Sequence, residues 1–273
     1  MSPARCLHHL SWPDLRRQAL RRGSTVLWPF GAIEQHGPHL PLATDALFAE
    51  AISAAVLEAL PADLPIWRLP LQSLGFSVEH AGFPGTLSLP CETLIQIVVA
   101  VGGQLAEVGF QRLVLLNAHG GQISLLDVAA RELRSRHPGL AVLPCFLWRG
   151  PEGIGPLIPE PERSQGLHAG LAETSLMLHL FPNLASWSEP AHAGDRGERP
   201  PLPRVQAPEG WSLEGDAACS WRTQELSVDG VVGDPAGADP QLGAELFERL
   251  VEGWRRRLLA LLQSDWPTTT PQG

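Results

Sequence analysis

The chain has 273 residues, with 20 basic against 29 acidic side chains and a formal charge of −9. That balance excludes a general nucleic-acid or anionic-membrane surface, which needs clustered positive charge to neutralise phosphates. All the basic residues are arginine, and tyrosine is also absent, so Schiff-base chemistry, a P-loop lysine and a tyrosine acid or base are excluded.

Taken in chain order, the apolar pattern alternates between strands and helices. Residues 24–30 form a short apolar run ending at Gly31 and read as a buried strand. Residues 43–60 are rich in Ala and Leu without internal Gly or Pro, which predicts a helix, and 64–69 predicts a short strand between Pro65 and Pro70. Residues 90–108 predict a helix with Pro in its first turn and Gly109 past its end. Residues 112–116 (RLVLL) are the clearest buried strand, followed by a helix over 122–136 and a strand over 140–146. Helical periodicity returns at 170–180 and 240–262. This order predicts an α/β fold, a mostly parallel sheet with helices on both faces.

A single domain over 1–264 is expected, with a Pro- and Gly-rich lobe near 186–215 and a frayed tail over 265–273. The four cysteines (Cys6, Cys91, Cys145 and Cys219) lie far apart without a CxxC pair, which fits free thiols in a reducing compartment. Charges precede any apolar run at the N-terminus, unlike a signal peptide, and the apolar stretches fall short of the roughly 20 residues of a membrane span. A cytoplasmic protein, without membrane or nucleic-acid partners, is expected.

Four of the ten histidines and the most informative acids fall in three segments. GAIEQHGPHLPLATD follows the first strand and carries Glu34, His36, His39 and Asp45. NAHGG follows the RLVLL strand and carries His119; LHAGLAETS opens a helix and carries His168 and Glu173. Ligands of open α/β sheets bind outside the carboxyl ends of the strands, so these segments are expected to converge. Glu34 and His36, two apart in an extended segment, point the same way. Mixed carboxylate and imidazole donors without thiolate suit Zn, Mn or Fe, although a histidine after a strand can also simply cap a turn. Glu79 and His80, ahead of the FPGT turn, and Trp148, after the fourth strand, are candidates for lining a substrate pocket, and each also has a plain loop or core alternative. His39 is a candidate for orienting a carboxylate. His8, His9, His137, His179 and His192 lack partners in sequence and read as structural. No GxSxG, GxGxxG or P-loop is present.

The blocks WPFGAIEQHGPHLPLATD, FPGTLSL, NAHGG, HAGLAETS and GVVGDP resemble, in that order, those of the creatininase (creatinine amidohydrolase) family, over residues 26–243. The resemblance implies a three-layer α/β/α sandwich, a binuclear metal centre and a homohexamer. It implies hydrolysis of a non-peptide C–N bond in a cyclic or simple amide, with hydroxide activated by the metals. Two divalent ions are implied, Zn with Zn, Mn or Fe. Carried over by position, Glu34, Asp45 and His119 correspond to ligands of one ion, His36 and Asp45 to ligands of the other, and Asp45 bridges. Creatininase itself has a tyrosine and an acidic ligand where this chain has Gly120 and Gly121. In the branch with HGG, the missing carboxylate is expected from Glu173. His168 corresponds to a catalytic or substrate-binding histidine, with an ordinary cap as the alternative. Formamide deformylases and a peptide-trimming enzyme of redox-cofactor maturation are related branches, and a non-catalytic assembly or sensing protein is the alternative from another class.

Overall fold

The computed structural model describes residues 5–185, 208–215 and 217–267. Four parallel strands, β1 (Thr25–Phe30), β2 (Ile66–Arg68), β3 (Arg112–Asn117) and β4 (Ala141–Phe146), form one sheet in the order β2-β1-β3-β4. The two central strands are buried along their whole length, which explains why TVLWPF and RLVLLN are near-continuous apolar runs.

Alternation along these strands sends side chains to two separate cores. Leu27, Val114 and Leu116 pack with Phe48 and Ile52 of α2 (Thr44–Glu58), Leu176 of α6 (Leu171–Leu180) and Leu246 and Trp254 of α8 (Pro240–Gln263). Val26, Trp28, Phe30, Leu113 and Leu115 face the other way. They meet Ala19 of α1 (Trp12–Ala19), Leu94 and Val98 of α3 (Cys91–Val108), and Leu126 and Leu133 of α4 (Ile123–Arg136). The result is the expected three-layer α/β/α arrangement. Two single-turn helices, α5 (Glu162–Gln165) and α7 (Thr223–Leu226), lie in the connections that precede and follow α6.

Helix α1 has no counterpart among the expected elements, because WPDLRRQA shows little apolar periodicity. It is started by Ser11, whose side chain accepts from the Asp14 N–H, and by Pro13 in its first turn. Helix α3, with a mean hydropathy of 1.3 over 18 residues, is long and apolar enough by composition to cross a membrane. Composition alone gives it that reach, and Leu94, Val98 and Leu105 pack it into the second core. All four cysteines are free. Most of the lobe expected near 186–215, and residues 268–273 of the expected tail, lie outside the described residues. Where that tail begins, the buried Arg112 donates to the carbonyls of Ser264 and Trp266, fastening the end of α8 and the first tail residues to the start of β3.

Gly31 governs how the sheet meets α2. A Cβ there would lie 2.5 Å from Ala46 Cα and 2.6 Å from Ala46 N, both backbone atoms. The absent side chain lets the first turn of α2 abut the end of β1. Gly31→Ala is therefore expected to destabilise the protein by roughly 1–3 kcal/mol, as other overpacked sites do. Thermal unfolding of the variant checks this: a melting temperature equal to that of the parent would show that the helix can step back freely.

Candidate metal centre

The loops leaving β1 and β3 emerge side by side, because Phe30 and Asn117 are register partners at the carboxyl ends of these strands. After β1 the chain folds back on itself, with the Glu34 N–H donating to the Leu42 carbonyl at 2.9 Å. Glu34 and His36 project to one side, and Pro41 leads into α2, whose first turn supplies Asp45. After β3, the Asn117 side chain accepts from the His119 N–H at 3.0 Å and donates to the His119 carbonyl at 2.6 Å, fixing that residue. The chain between His168 and α6 turns through Ala169 at φ 55°, and the Ala169 N–H donates to Glu173 Oε2 at 2.6 Å. A non-glycine residue in the left-handed region is uncommon, and such residues cluster at functional sites.

The three segments meet. Nδ1 of His119 lies 3.1 Å from Glu34 Oε2 and 3.2 Å from Asp45 Oδ2. Nε2 of His36 lies 3.4 Å from Asp45 Oδ1. Donor atoms of Glu34, Asp45 and His119 all fall within 4.8 Å of one another, and so do those of His36, Asp45 and Glu173. Asp45 is common to both sets. The second set contains Glu173, the carboxylate expected to replace the missing one.

The hydrogen bonds fix which nitrogen faces inward. His119 donates through Nε2–H to the Phe76 carbonyl at 2.9 Å, and His36 donates through Nδ1–H to the Glu34 carbonyl at 3.2 Å. In each neutral ring the remaining lone pair points at carboxylate oxygens. His36 Nε2 and Asp45 Oδ2 are accordingly buried without a hydrogen-bond partner. Acceptors facing acceptors out of water are unstable unless a cation lies between them. Orphaned inward atoms and an all-oxygen-and-nitrogen donor set therefore fit divalent ions of the Zn, Mn or Fe kind.

Without an ion, a proton takes that position. Burial works to lower the His36 pKa, but Asp45, Glu173 and Glu34 carry it up to about 9. His119 is likewise raised well above its ordinary value by Glu34, Asp45 and Glu79 against the cost of burial. Asp45 is held low despite burial by His36 and His119, whereas burial and the neighbouring carboxylates push Glu173 up to about 7.

Glu34, Asp45, His119 and Glu173 form the floor of a cavity of about 960 Å³, which Glu79, His80, Trp148 and His168 also line, while His36 is fully buried. Burial, then His36 and His80, push the His168 pKa well below its ordinary value, and its ring lies tilted against both of theirs with centroids 4.2 and 4.1 Å apart. Trp148 meets Phe48 edge-on on the wall. His39 pairs with Thr174 Oγ1 at 2.9 Å, beside Glu173. His8, His9, His137 and His179 do not line the cavity, and His192 lies outside the described residues. The sequence reading passed over several contributors. Ser77 donates to Glu34 Oε2 at 2.5 Å. Gln122 donates to Gly31 O at 3.2 Å and Asn117 Oδ1 at 2.8 Å, and accepts from Phe76 N–H at 3.1 Å. Apart from Asn117, their partners are remote in sequence, so no local pattern announces them.

Residues 8–258 match the family model described as Creatininase: Creatinine amidohydrolase. The chain belongs to the creatininase family. Among family relatives it is 35% identical over 241 residues to the mycofactocin precursor peptide peptidase of Mycobacterium tuberculosis, covering 86% of this chain and 84% of that one. It is 33% identical over 196 residues to the creatinine amidohydrolase of Pseudomonas putida, covering 67% and 75%. Solved creatininases superpose over 96% of this chain and 100% of theirs at 25% identity. A manganese form gives a TM-score of 0.73 and a mutant of the Zn–Zn type 0.72.

The glycine at 121 has a local cause. A Cβ there would lie 1.7 Å from Glu79 Oε1 and 2.8 Å from His119 Nε2, so the Glu79 carboxylate fills the space a side chain would need. Glu79 in turn approaches His119 Nε2 at 3.3 Å and is held ionised by it despite burial.

The charge state sets an expectation for metal uptake. An ion entering these sets must displace protons from His36 and His119, and below about pH 7 from Glu173 as well. Lower pH adds protons and weakens binding, so affinity should rise from pH 6 to 8, with proton release largest at the acid end. Calorimetric zinc titration in buffers of different ionisation enthalpy measures this; pH-independent uptake would show that these nitrogens do not take part.

Proposed function

We propose that this creatininase-family protein is a metal-dependent hydrolase that cleaves an amide C–N bond in a short peptide or a peptide-like amide. The observation that carries the proposal is the pair of donor sets sharing Asp45 at the floor of one large cavity. Glu34, Asp45 and His119 would hold one ion, and His36, Asp45 and Glu173 the other. Divalent ions so held supply Lewis acidity to a carbonyl oxygen and lower the pKa of water.

The chain's own residues supply the rest. His168 donates through Nε2–H to the Gln35 carbonyl at 2.7 Å, leaving its Nδ1 lone pair toward the floor, 3.8 Å from Glu34 Oε1. A neutral imidazole in that position can take a proton from the attacking water and pass it to the departing nitrogen. Phe76, Phe146, Trp148 and Trp221 line the walls and exclude water around the scissile group. The cavity is at the upper end of the range for drug-sized ligands, which favours a peptide over a single small ring. The similarity to a precursor-peptide peptidase supports the same preference. The similarity to creatinine amidohydrolase keeps cyclic and formyl amides as the second reading.

Zinc- or manganese-loaded protein incubated with short peptides, formamides and creatinine, with new amines detected, tests the proposal. Release of an amine from a peptide is expected; cleavage of none of these amides by fully loaded protein would overturn it. Glu173→Gln should lower occupancy of one metal while the other stays bound, and should cut turnover at least about tenfold. Two equivalents bound with parental affinity would instead leave Glu173 as a cap on the Ala169 N–H.

A further inference from the structure

Gln35 sits between two candidate ligands but points the other way. Its Oε1 accepts from the Gly37 N–H at 2.9 Å, and its Nε2 donates to the Gly230 carbonyl at 3.0 Å. Those partners fix the amide orientation, because turning it over would set N–H against N–H and oxygen against oxygen. Gly230, at φ +86°, leaves the room: a Cβ there would lie 1.9 Å from Gln35 Oε1.

With the amide fixed, its second N–H can go to only one place. Gln35 Nε2 lies 2.8 Å from His80 Nδ1, so Nδ1 must accept. The Thr223 hydroxyl, 2.7 Å from the same nitrogen and 3.0 Å from the Glu79 carbonyl, can donate to either. The His80 proton is therefore on Nε2, which faces Glu34 Oε1 at 3.5 Å. Although Glu34, Glu79 and His80 are close enough to form a donor set, a nitrogen that carries a proton is no ligand. The main-chain carbonyl of Gln35 does the corresponding work on the neighbouring ring, accepting from His168 Nε2–H.

We infer that Gln35 is a positioning residue that sets the ring tautomers of both His80 and His168, turning the His80 Nε2–H toward Glu34 and leaving that nitrogen unable to bind metal. The side chain acts on His80 and the backbone on His168. One residue thus aims Glu34, and with it one donor set, while keeping the His168 lone pair turned to the floor. The catalytic consequence rests on the hydrolase reading above; the tautomers rest on hydrogen bonds alone.

The test uses zinc-loaded, full-length protein with ¹⁵N-labelled histidine rings. In the parent, His80 and His168 should both be neutral with the proton on Nε2. In Gln35→Glu an acceptor replaces the donor, so His80 should gain a proton on Nδ1 while His168 is unchanged. Turnover of whichever amide the zinc-loaded parent cleaves should fall at least about tenfold through kcat, with two zinc equivalents retained and KM little altered. Gln35→Met, which removes the donor without adding an acceptor, should give mixed His80 tautomers and a smaller loss. The inference is overturned if parental His80 carries its proton on Nδ1 or coordinates zinc, or if Gln35→Glu leaves the His80 ring as it was. A rise in KM at constant kcat would likewise overturn it, making Gln35 a substrate contact. Should Gln35→Glu not fold, the parental spectrum and Gln35→Met still decide. If the parent cleaves no amide, the hydrolase reading fails, while the ring spectra still settle the tautomers.

Discussion

Three carboxylates brought within reach of one another and largely out of water set the terms for everything around them. Glu34 and Asp45 are almost wholly buried, and Glu173 opens a helix beside them. Removing charge from water is tolerated only where hydrogen bonds and opposite charge replace what water supplied. Ser77 and the Ala169 N–H satisfy part of that demand, and His36 and His119 supply more. Inward-facing atoms without a donor remain, a demand that a bound cation would meet.

The surrounding rings show how the chain controls direction as well as charge. His36, His119 and His168 each spend one nitrogen on a main-chain carbonyl: those of Glu34, Phe76 and Gln35. Carbonyls of packed loops move little, so these rings are aimed by the backbone and not by other flexible side chains. His80 differs, its Nδ1 being met by the side chains of Gln35 and Thr223. The loops are braced in turn by Gln122, which reaches the β1 loop, the β3 loop and Phe76 together.

Much of this was legible in the sequence, and the exceptions share a cause. The buried runs of β1 and β3 announced a parallel sheet, and residue spacing put Glu34 and His36 on one side. The family resemblance carried the assignment of Asp45, His119 and Glu173 to two donor sets. Gln35 escaped notice for the same reason that its neighbours did not: at a period of two it lies on the opposite side, where polar residues usually meet solvent. What gives it meaning is Gly230, 195 residues away, and no local pattern encodes such a contact. The glycine at 121 read as a lost ligand; in space it makes room for the Glu79 side chain.

The walls of the cavity are built differently from its floor. The floor hangs from the carboxyl ends of the central strands and is cross-linked by buried amides. The wall bearing Leu213 and Trp221 comes from a connection far along the chain, where the Trp221 indole donates to the Leu213 carbonyl of its own segment. The Thr223 hydroxyl, next along, reaches the Glu79 carbonyl. Such a wall can lengthen, shorten or change composition over generations while the strand ends keep their spacing. A lineage built this way can inherit one floor of carboxylates and imidazoles intact and change the molecules admitted to it by rewriting a single stretch of surface chain.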